Sequence, residues 1–463
     1  MGLAQIQRDL LGGTTSMEEI VSTYLNRIAD CQHLNIYLEV FAEEVINQAK
    51  ALDQKIKHHP DQLGTLFGCV ASIKDVICYK DHRVTASSKM LKGFTSQFTA
   101  TALQSGLDQD MIIIGRTNCD EFAMGSSNEN SAYGPTLNGQ DPTRVPGGSS
   151  GAAAVSVQKD TCLLAFGSDT GGSVRQPAAF CGVYGMKPSY GRISRYGLIA
   201  YASSFDQIGL LSKDLELIST ALAVVEGYDP MDSTSLEISN EELQTSNKYR
   251  FTYFAEALHD ASISPEIRES LQAKIDQLRS DGHTVTEISF DLLNHLVPCY
   301  YVLTTAEASS NLNRYDGIRY GLQESQSKDL KELYVENRSN GFGLEVKRRI
   351  MMGTFVLSVG YFDAYFNKAQ KVRRLITDRI QDIFMDHDFI LIPTTPDVAW
   401  PIGENIDDPV SIYLSDIFTV LANICGLPAI SAPKISPNRM PHGLQLIGPR
   451  MSDKRVLSAA KLI

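Results

Sequence analysis

With 463 residues, 43% of them apolar and 21% charged, the chain can bury one large core and is too apolar to be disordered. Its 54 acidic residues against 42 basic ones leave a net charge of −12, which argues against gripping phosphate backbones by itself and suits small-molecule chemistry. No apolar run approaches the ~18 residues of a membrane span, and no signal-peptide h-region opens the chain.

Ser16-x-x-Glu19 reads as a capping box, and Met17, Ile20, Val21, Tyr24, Leu25 and Ile28 follow at helical spacing. A second helix is expected from Val40 to Ile56. From Leu66 to about Leu211, the apolar runs FGCVASI, MIIIG and CLLAFG alternate with Gly/Ser-rich loops, the pattern of buried strands with functional edges. GAAAVSV, after PGGSS, is apolar all round and reads as a buried helix. A charged segment runs from about Asp229 to Lys248. The strand YRFTYF then precedes a helix with Ser264 at its cap, Pro265 at its first position, Gly282 at its end and Ile267, Leu271, Ile275 and Leu278 as its stripe. The strand HTVTEISF comes next. Helical patterns fill 300–385, including KRR (347–349) and KVRR (371–374), and FILIP and LPAISAP are late strands. The order is that of an α/β protein built on one large mixed sheet. Eight cysteines, Cys31, Cys69, Cys78, Cys119, Cys162, Cys181, Cys299 and Cys425, are scattered without a C-x-x-C pair, so they read as reduced, buried thiols.

Three loops in the Gly/Ser region bear chemistry. A serine nucleophile needs a base, yet none of the nine histidines lies between His82 and His259, and no G-x-S-x-G elbow surrounds Ser173. A lysine can serve if burial lowers its pKa. Lys74 in VASIKDVI ends an apolar run, although a strand-end lysine paired with Asp75 is the plainer alternative. RVPGGSSG (144–151), just before a helix, could hold a phosphate, but it lacks the P-loop Gly-Lys-Ser/Thr and G-x-G-x-x-G. In GSDTGGSVRQPA (167–178) the glycines can turn several N–H groups toward one point, as an oxyanion site requires; taken alone the string is an ambiguous turn.

Together, IKD, VPGGSSG and GSDTGGSVRQPAAFCGVYGMKP resemble the amidase signature family, and the spacing from Ser149 to Ser173 follows its pattern. DEFAMGSSNENSAYGPT, YGRISRYGLIAYASSFDQIG, EASSNLNRYDGIRYG, EVKRRIMMGTF and DDPVSIYLSDIFTVLANICGLPAIS resemble one branch of it, the glutaminase subunits of tRNA-dependent amidotransferases, over nearly the whole chain. The resemblance implies a large mixed, mostly parallel central sheet covered by helices on both faces. It implies one domain over 1–463, with a catalytic segment at about 66–212 and a scaffold and substrate-side segment at about 213–400. It implies a Ser–cis-Ser–Lys triad: Ser173 attacks, Ser149 relays the proton, and Lys74 is the neutral base. The N–H groups of Thr170, Gly171, Gly172 and Ser173 would hold the oxyanion.

The implied reaction is hydrolysis of glutamine to glutamate and ammonia through a glutamyl ester on Ser173. The ammonia would pass to a partner B subunit that uses ATP and Mg to amidate Glu-tRNA(Gln) or Asp-tRNA(Asn), with a small C-type subunit in the same complex. This chain would need no cofactor or metal, would not hold tRNA strongly or touch a membrane, and would work in a bacterial-type cytoplasm or a mitochondrial matrix. By the same resemblance Arg349 in KRRI takes the α-carboxylate of glutamine and Asp416 in YLSDI its α-ammonium, with Gly125, Ser126 and Tyr300 beside them. Arg348 and Tyr301 are the neighbouring alternatives at two of these places. Departures from the family pattern, Ala152 for Gly, Val76 for Asn and Asn128 for Thr, leave the triad untouched. The competing readings are a stand-alone amidase for a small amide, which the zwitterion-binding pair disfavours, and a silent scaffold protein, which the intact triad disfavours.

Overall fold

The computed structural model describes residues 2–238, 248–260, 262–323, 328–404, 409–437 and 439–463, so residues 239–247 of the expected charged segment lie outside it. The capping box forms as read. Ser16 Oγ accepts from the Glu19 N–H at 3.2 Å and the Glu19 carboxylate accepts from the Ser16 N–H at 3.1 Å. The helix it starts, α1 (Met17–Asp30), buries Met17, Val21, Tyr24 and Ile28. The next helix, α2 (Ala42–His58), begins later than expected, because Val40 belongs to an edge strand, β1 (Tyr37–Val40). Val40 and Phe41 keep the apolar spacing going, so periodicity alone merges the strand with the helix.

Ten further strands complete one sheet: β2 (Val70–Lys74), β3 (Ile112–Thr117), β4 (Leu164–Asp169), β5 (Tyr184–Lys187), β6 (Gln207–Ser212), β7 (Arg250–Phe254), β8 (Thr284–Ile288), β9 (Phe389–Pro393), β10 (Ala429–Lys434) and β11 (His442–Ile447). Their order is β1-β3-β2-β4-β6-β5-β10-β11-β9-β7-β8. Every residue of β2, β3, β4, β6, β9 and β11 is buried, which requires cover on both faces. The sheet is mixed, but it is not mostly parallel. Among the described pairings four are parallel and six antiparallel. The antiparallel run from β4 through β6, β5, β10 and β11 to β9 includes links, such as 435–441, too short for the crossover that parallel neighbours need. Strands β5, β6 and β11 show no clear alternation, since both faces of each are covered, and nothing local in the sequence marks them as strands.

Around the sheet pack α3 (Gly151–Gln158), α4 (Arg175–Cys181), α5 (Pro265–Ser280), α6 (Leu293–Asn311), α7 (Leu344–Val356) and α8 (Lys368–Asp386), among others. Helix α3 is buried from Gly151 to Val157, as its all-apolar surface implies. Helix α5 has Pro265 at its first turn and its stripe in the core, while Ser264 takes the cap position without a side-chain cap bond. All eight cysteines are free thiols, seven of them buried. Among the described residues no helix is long and apolar enough to cross a membrane.

One topological fact places the site. Strands β2 and β4 are adjacent and parallel, so Lys74 at the end of β2 and Asp169 at the end of β4 emerge on the same edge of the sheet. Crevices beyond the carboxyl ends of parallel strands are where α/β sheets place their ligands.

Candidate active site

Lys74 is fully buried, and among the described residues its ammonium bonds only hydroxyl groups. Nζ donates to Ser149 Oγ at 2.6 Å, Ser150 Oγ at 2.9 Å and Ser168 Oγ at 2.9 Å. Asp75, the alternative partner, turns the other way, to Thr85, the Ser87 N–H and Arg116. Burial without a bonded carboxylate disfavours the ammonium form and pushes the Lys74 pKa down to about 8, despite Asp120, Asp169 and Asp206 nearby.

Ser149 stands on the turn before α3, and the Gly148–Ser149 peptide bond is cis. Gly147 has φ +80°, and a Cβ there would press on Gln176, Pro177 and Phe180. Gln176 ties three segments together: Oε1 accepts from the Gly148 N–H at 2.8 Å and Nε2 donates to the Ser126 carbonyl at 2.9 Å. The Ser150 N–H donates to the Ser173 carbonyl at 3.1 Å, which joins the two serine-bearing turns directly.

The turn after β4 is held from beneath by a buried ion pair. Asp169 accepts from Arg175 Nε and Nη2 at 3.0 and 2.9 Å, from the Gly172 and Val174 N–H groups at 2.9 and 3.2 Å, and from Asn423 Nδ2 at 2.9 Å. Burial alone would raise the pKa of this carboxyl, but the Arg175 guanidinium holds it well below the usual range. Arg175 also donates to the Thr419 carbonyl, Gln445 and Asn423. Thr170 Oγ1 donates to Asp206 at 2.6 Å, and Thr419 Oγ1 donates to the Gly171 carbonyl at 2.6 Å. These bonds correct one expectation. The Gly172 N–H is committed to Asp169 and is lost to an oxyanion, whereas those of Thr170, Gly171 and Ser173 have no acceptor among the described residues. Ser173 is 8% exposed, and its hydroxyl makes no hydrogen bond among the described residues.

A cationic and an anionic group are buried on two further segments of the chain. Arg349 on α7 is 3% exposed, against 35% for the Arg348 side chain, so the inward cation is Arg349. It lies over the rings of Tyr201, Tyr301 and Tyr413 at 5.4, 5.3 and 5.7 Å. Asp416 accepts from Ser126 Oγ at 2.9 Å and from Tyr301 Oη at 3.4 Å, and burial pushes its pKa up to about 7. Tyr301 thus touches both groups. Tyr300 instead covers the turn: a Cβ on Gly171 would collide with its ring and hydroxyl. Gly125 lies against Asp120, whose carboxylate accepts from the Asn128 and Asn130 N–H groups at 2.9 and 3.1 Å and shapes the loop that carries Ser126. Among the described residues no group of three or more His, Cys, Asp or Glu side chains is arranged for a metal ion.

The amidase family model matches residues 19–457. The chain belongs to the amidase family. Its similarity to one group of amidases runs end to end. It is 45% identical to the A-type member of the glutamyl-tRNA(Gln) amidotransferase of Chlorobium phaeobacteroides (strain BS1), over 99% of this chain and 97% of the relative. It is 44% identical to the counterpart of that protein in Koribacter versatilis, over 96% and 94%. Among solved structures, the A-type member of the Thermotoga maritima glutamyl-tRNA(Gln) amidotransferase is 37% identical with a TM-score of 0.79, covering 96% of this chain and 91% of its own. A bacterial aryl acylamidase of the amidase signature family shares the fold at 21% identity and a TM-score of 0.85, covering 100% and 95%.

Sequence reasoning misses several residues of the candidate site. Ser150 and Ser168 lie inside the signature strings, the first directly after Ser149 and the second five residues before Ser173, and only the first has an adjacent serine as a signal. Tyr201, Glu345, Tyr413 and Thr419 reach the site only through tertiary packing, and nothing local marks them.

Proposed function

We propose that the chain is the glutaminase subunit of a tRNA-dependent amidotransferase, with Ser173, Ser149 and Lys74 as its catalytic triad. The single observation that carries the chemistry is Lys74, a fully buried lysine whose nearest partner is Ser149 Oγ at 2.6 Å and which has no bonded carboxylate. A lysine so placed is readily neutral and can accept a proton.

Ser173 Oγ attacks the side-chain amide carbonyl of glutamine and gives its proton to Ser149, which passes its own to Lys74. The carbonyl oxygen becomes an oxyanion facing the free N–H groups of Thr170, Gly171 and Ser173, a stabilisation typically worth a few kcal/mol per donor. Collapse breaks the C–N bond, and the nitrogen takes the stored proton back through Ser149 and leaves as ammonia. Water then attacks the glutamyl ester with Lys74 again as base, releasing glutamate. Arg349 and Asp416 supply opposite charges for the α-carboxylate and α-ammonium of free glutamine. The names of the relatives support a place in a glutamyl-tRNA(Gln) amidotransferase; the ammonia would then pass to a partner subunit that amidates Glu-tRNA(Gln) with ATP and Mg held outside this chain.

The test is glutamate release by the full chain with the subunits it purifies with. Ser173→Ala is expected to abolish release, by at least about 10³-fold, while glutamine still binds. A Ser173→Ala protein that keeps working would remove Ser173 as nucleophile.

A further inference from the structure

Arg349 and Asp416 lie on separate elements, yet a zwitterion can engage both only if their separation is fixed. One buried side chain connects the two. Glu345 stands one turn before Arg349 on α7 and is 8% exposed. Its Oε1 accepts from Arg349 Nε at 2.8 Å and also from Tyr413 Oη at 2.9 Å, while Oε2 takes Arg348 from the solvent side. Tyr413 lies three residues before Asp416 and stacks on Tyr301 at 4.1 Å and 29°. Tyr301 Oη in turn bonds Asp416. The chain Arg349–Glu345–Tyr413–Tyr301–Asp416 is continuous.

Glu345 also decides which edge of the guanidinium is open. A guanidinium can offer a carboxylate either its Nε–Nη2 edge or its Nη1–Nη2 end. Glu345 occupies Nε, and Tyr201 Oη accepts one Nη1 hydrogen at 2.9 Å. Arg349 Nη2 makes no hydrogen bond among the described residues, so the end-on pair is the one presented. Without Glu345 the guanidinium could swing through its Nε torsion, and the Tyr413 hydroxyl would lose its acceptor.

We propose that Glu345 is a positioning residue that sets specificity for α-amino acid amides, by fixing the presented edge of Arg349 and, through Tyr413, the place of Asp416. The inference rests on the reading that Arg349 and Asp416 bind the two α-groups of glutamine. A helix-terminus role for Glu345, an acid in the first turn of α7, predicts a different outcome: a loss of stability with no preference among substrates.

Glutamine affinity is measured by calorimetry on the full chain carrying Ser173→Ala, with and without a second substitution. Glu345→Ala is expected to weaken binding about tenfold or more, as loss of a hydrogen bond to a charged group would. Glu345→Gln, which keeps an acceptor oxygen, is expected to lose less than about threefold. In the active chain Glu345→Ala should raise KM by a similar factor with kcat falling much less, and should lower the preference for glutamine over a neutral primary amide. Arg349→Ala separates the two levels. If it leaves glutamine affinity intact, the substrate reading itself fails. If it weakens affinity while Glu345→Ala does not, only the present inference is overturned. Equal losses of kcat and kcat/KM in Glu345→Ala would also overturn it. Should Glu345→Ala not fold, Tyr413→Phe removes only the hydroxyl link; a KM unchanged from the parent would then count against the proposal, and a raised KM with kcat retained would support it.

Discussion

At the scale of single residues, two buried ionisable groups predict a pH profile. In the proposed mechanism Lys74 must be neutral to act, and burial brings its pKa down to about 8. Its protonated form therefore dominates below that value, and kcat/KM for glutamine should rise with pH toward a plateau above it. In the same proposal Asp416 must be ionised to receive an ammonium, and burial brings it up to about 7, so KM should fall as pH rises through that value. Asp416→Asn is expected to flatten the KM limb and leave the kcat limb. Stopped assays of glutamate release across this range check both, and a kcat that falls as pH rises through 8 would sink the lysine base. Lys74 stands out in the sequence because an apolar run ends on a charge and no histidine falls between His82 and His259, but that run alone also reads as a lysine paired with Asp75, and only the resemblance to the amidase signature family singles it out as a base. Glu345 is not legible, because its first-turn position on α7 already accounts for an acid there, and only the folded chain brings Tyr413 to it.

At the scale of elements, the turn between β4 and α4 depends on the Asp169–Arg175 pair. Both side chains are fully buried, and together they fix the Gly172 and Val174 N–H groups, Thr419, Gln445 and Asn423. Removing one member of such a pair leaves an uncompensated charge in the interior. Arg175→Met should cost about 3–5 kcal/mol of stability, read by chemical denaturation. Arg175→Lys should recover little, since an ammonium cannot serve the same fork of acceptors. A loss under about 1 kcal/mol in Arg175→Met would show that the turn is held by other means. From sequence, GSDTGGSVRQPA reveals that something is built here but not which N–H groups remain free. Gly172 looks like one of four oxyanion donors until the Asp169 side chain is seen folding back on it. Strand periodicity fails for a related reason. Residues of β5, β6 and β11 face protein on both sides, so selection leaves no alternation to read, and the antiparallel share of the sheet stays hidden.

For the whole molecule, the proposed base and its neighbours stand on interior strands of the sheet, and the proposed recognition groups stand outside it. Lys74, Ser168 and Asp169 belong to β2 and β4, each buried throughout and hydrogen-bonded to neighbours on both sides. Arg349 and Asp416 stand on α7 and the segment after the short helix Pro409–Leu414, with Leu344 and Met351 of α7 more than two-thirds exposed. Amides of β2 and β4 should therefore exchange with deuterium last, near the global unfolding free energy, and those of α7 earlier. Saturating glutamine on the Ser173→Ala protein should slow exchange in α7 and around 412–416 and leave β2 and β4 unchanged. Peptide-resolved exchange with mass spectrometry reads this directly, and protection appearing first in β2 would contradict it.

The parallel pairing of β2 with β4 carries a consequence for how such a protein can change. Its hydrogen-bond ladder sets the reach from Lys74 to Ser168, so almost any alteration there shifts the proposed base against its hydroxyl partners. Arg349 and Asp416 lie off that ladder, on α7 and the segment after Pro409–Leu414, and their surroundings can be remodelled piecemeal. A mutant library confined to α7 and 412–416 is where a new amide preference should emerge, and one confined to β2 and β4 should return losses alone.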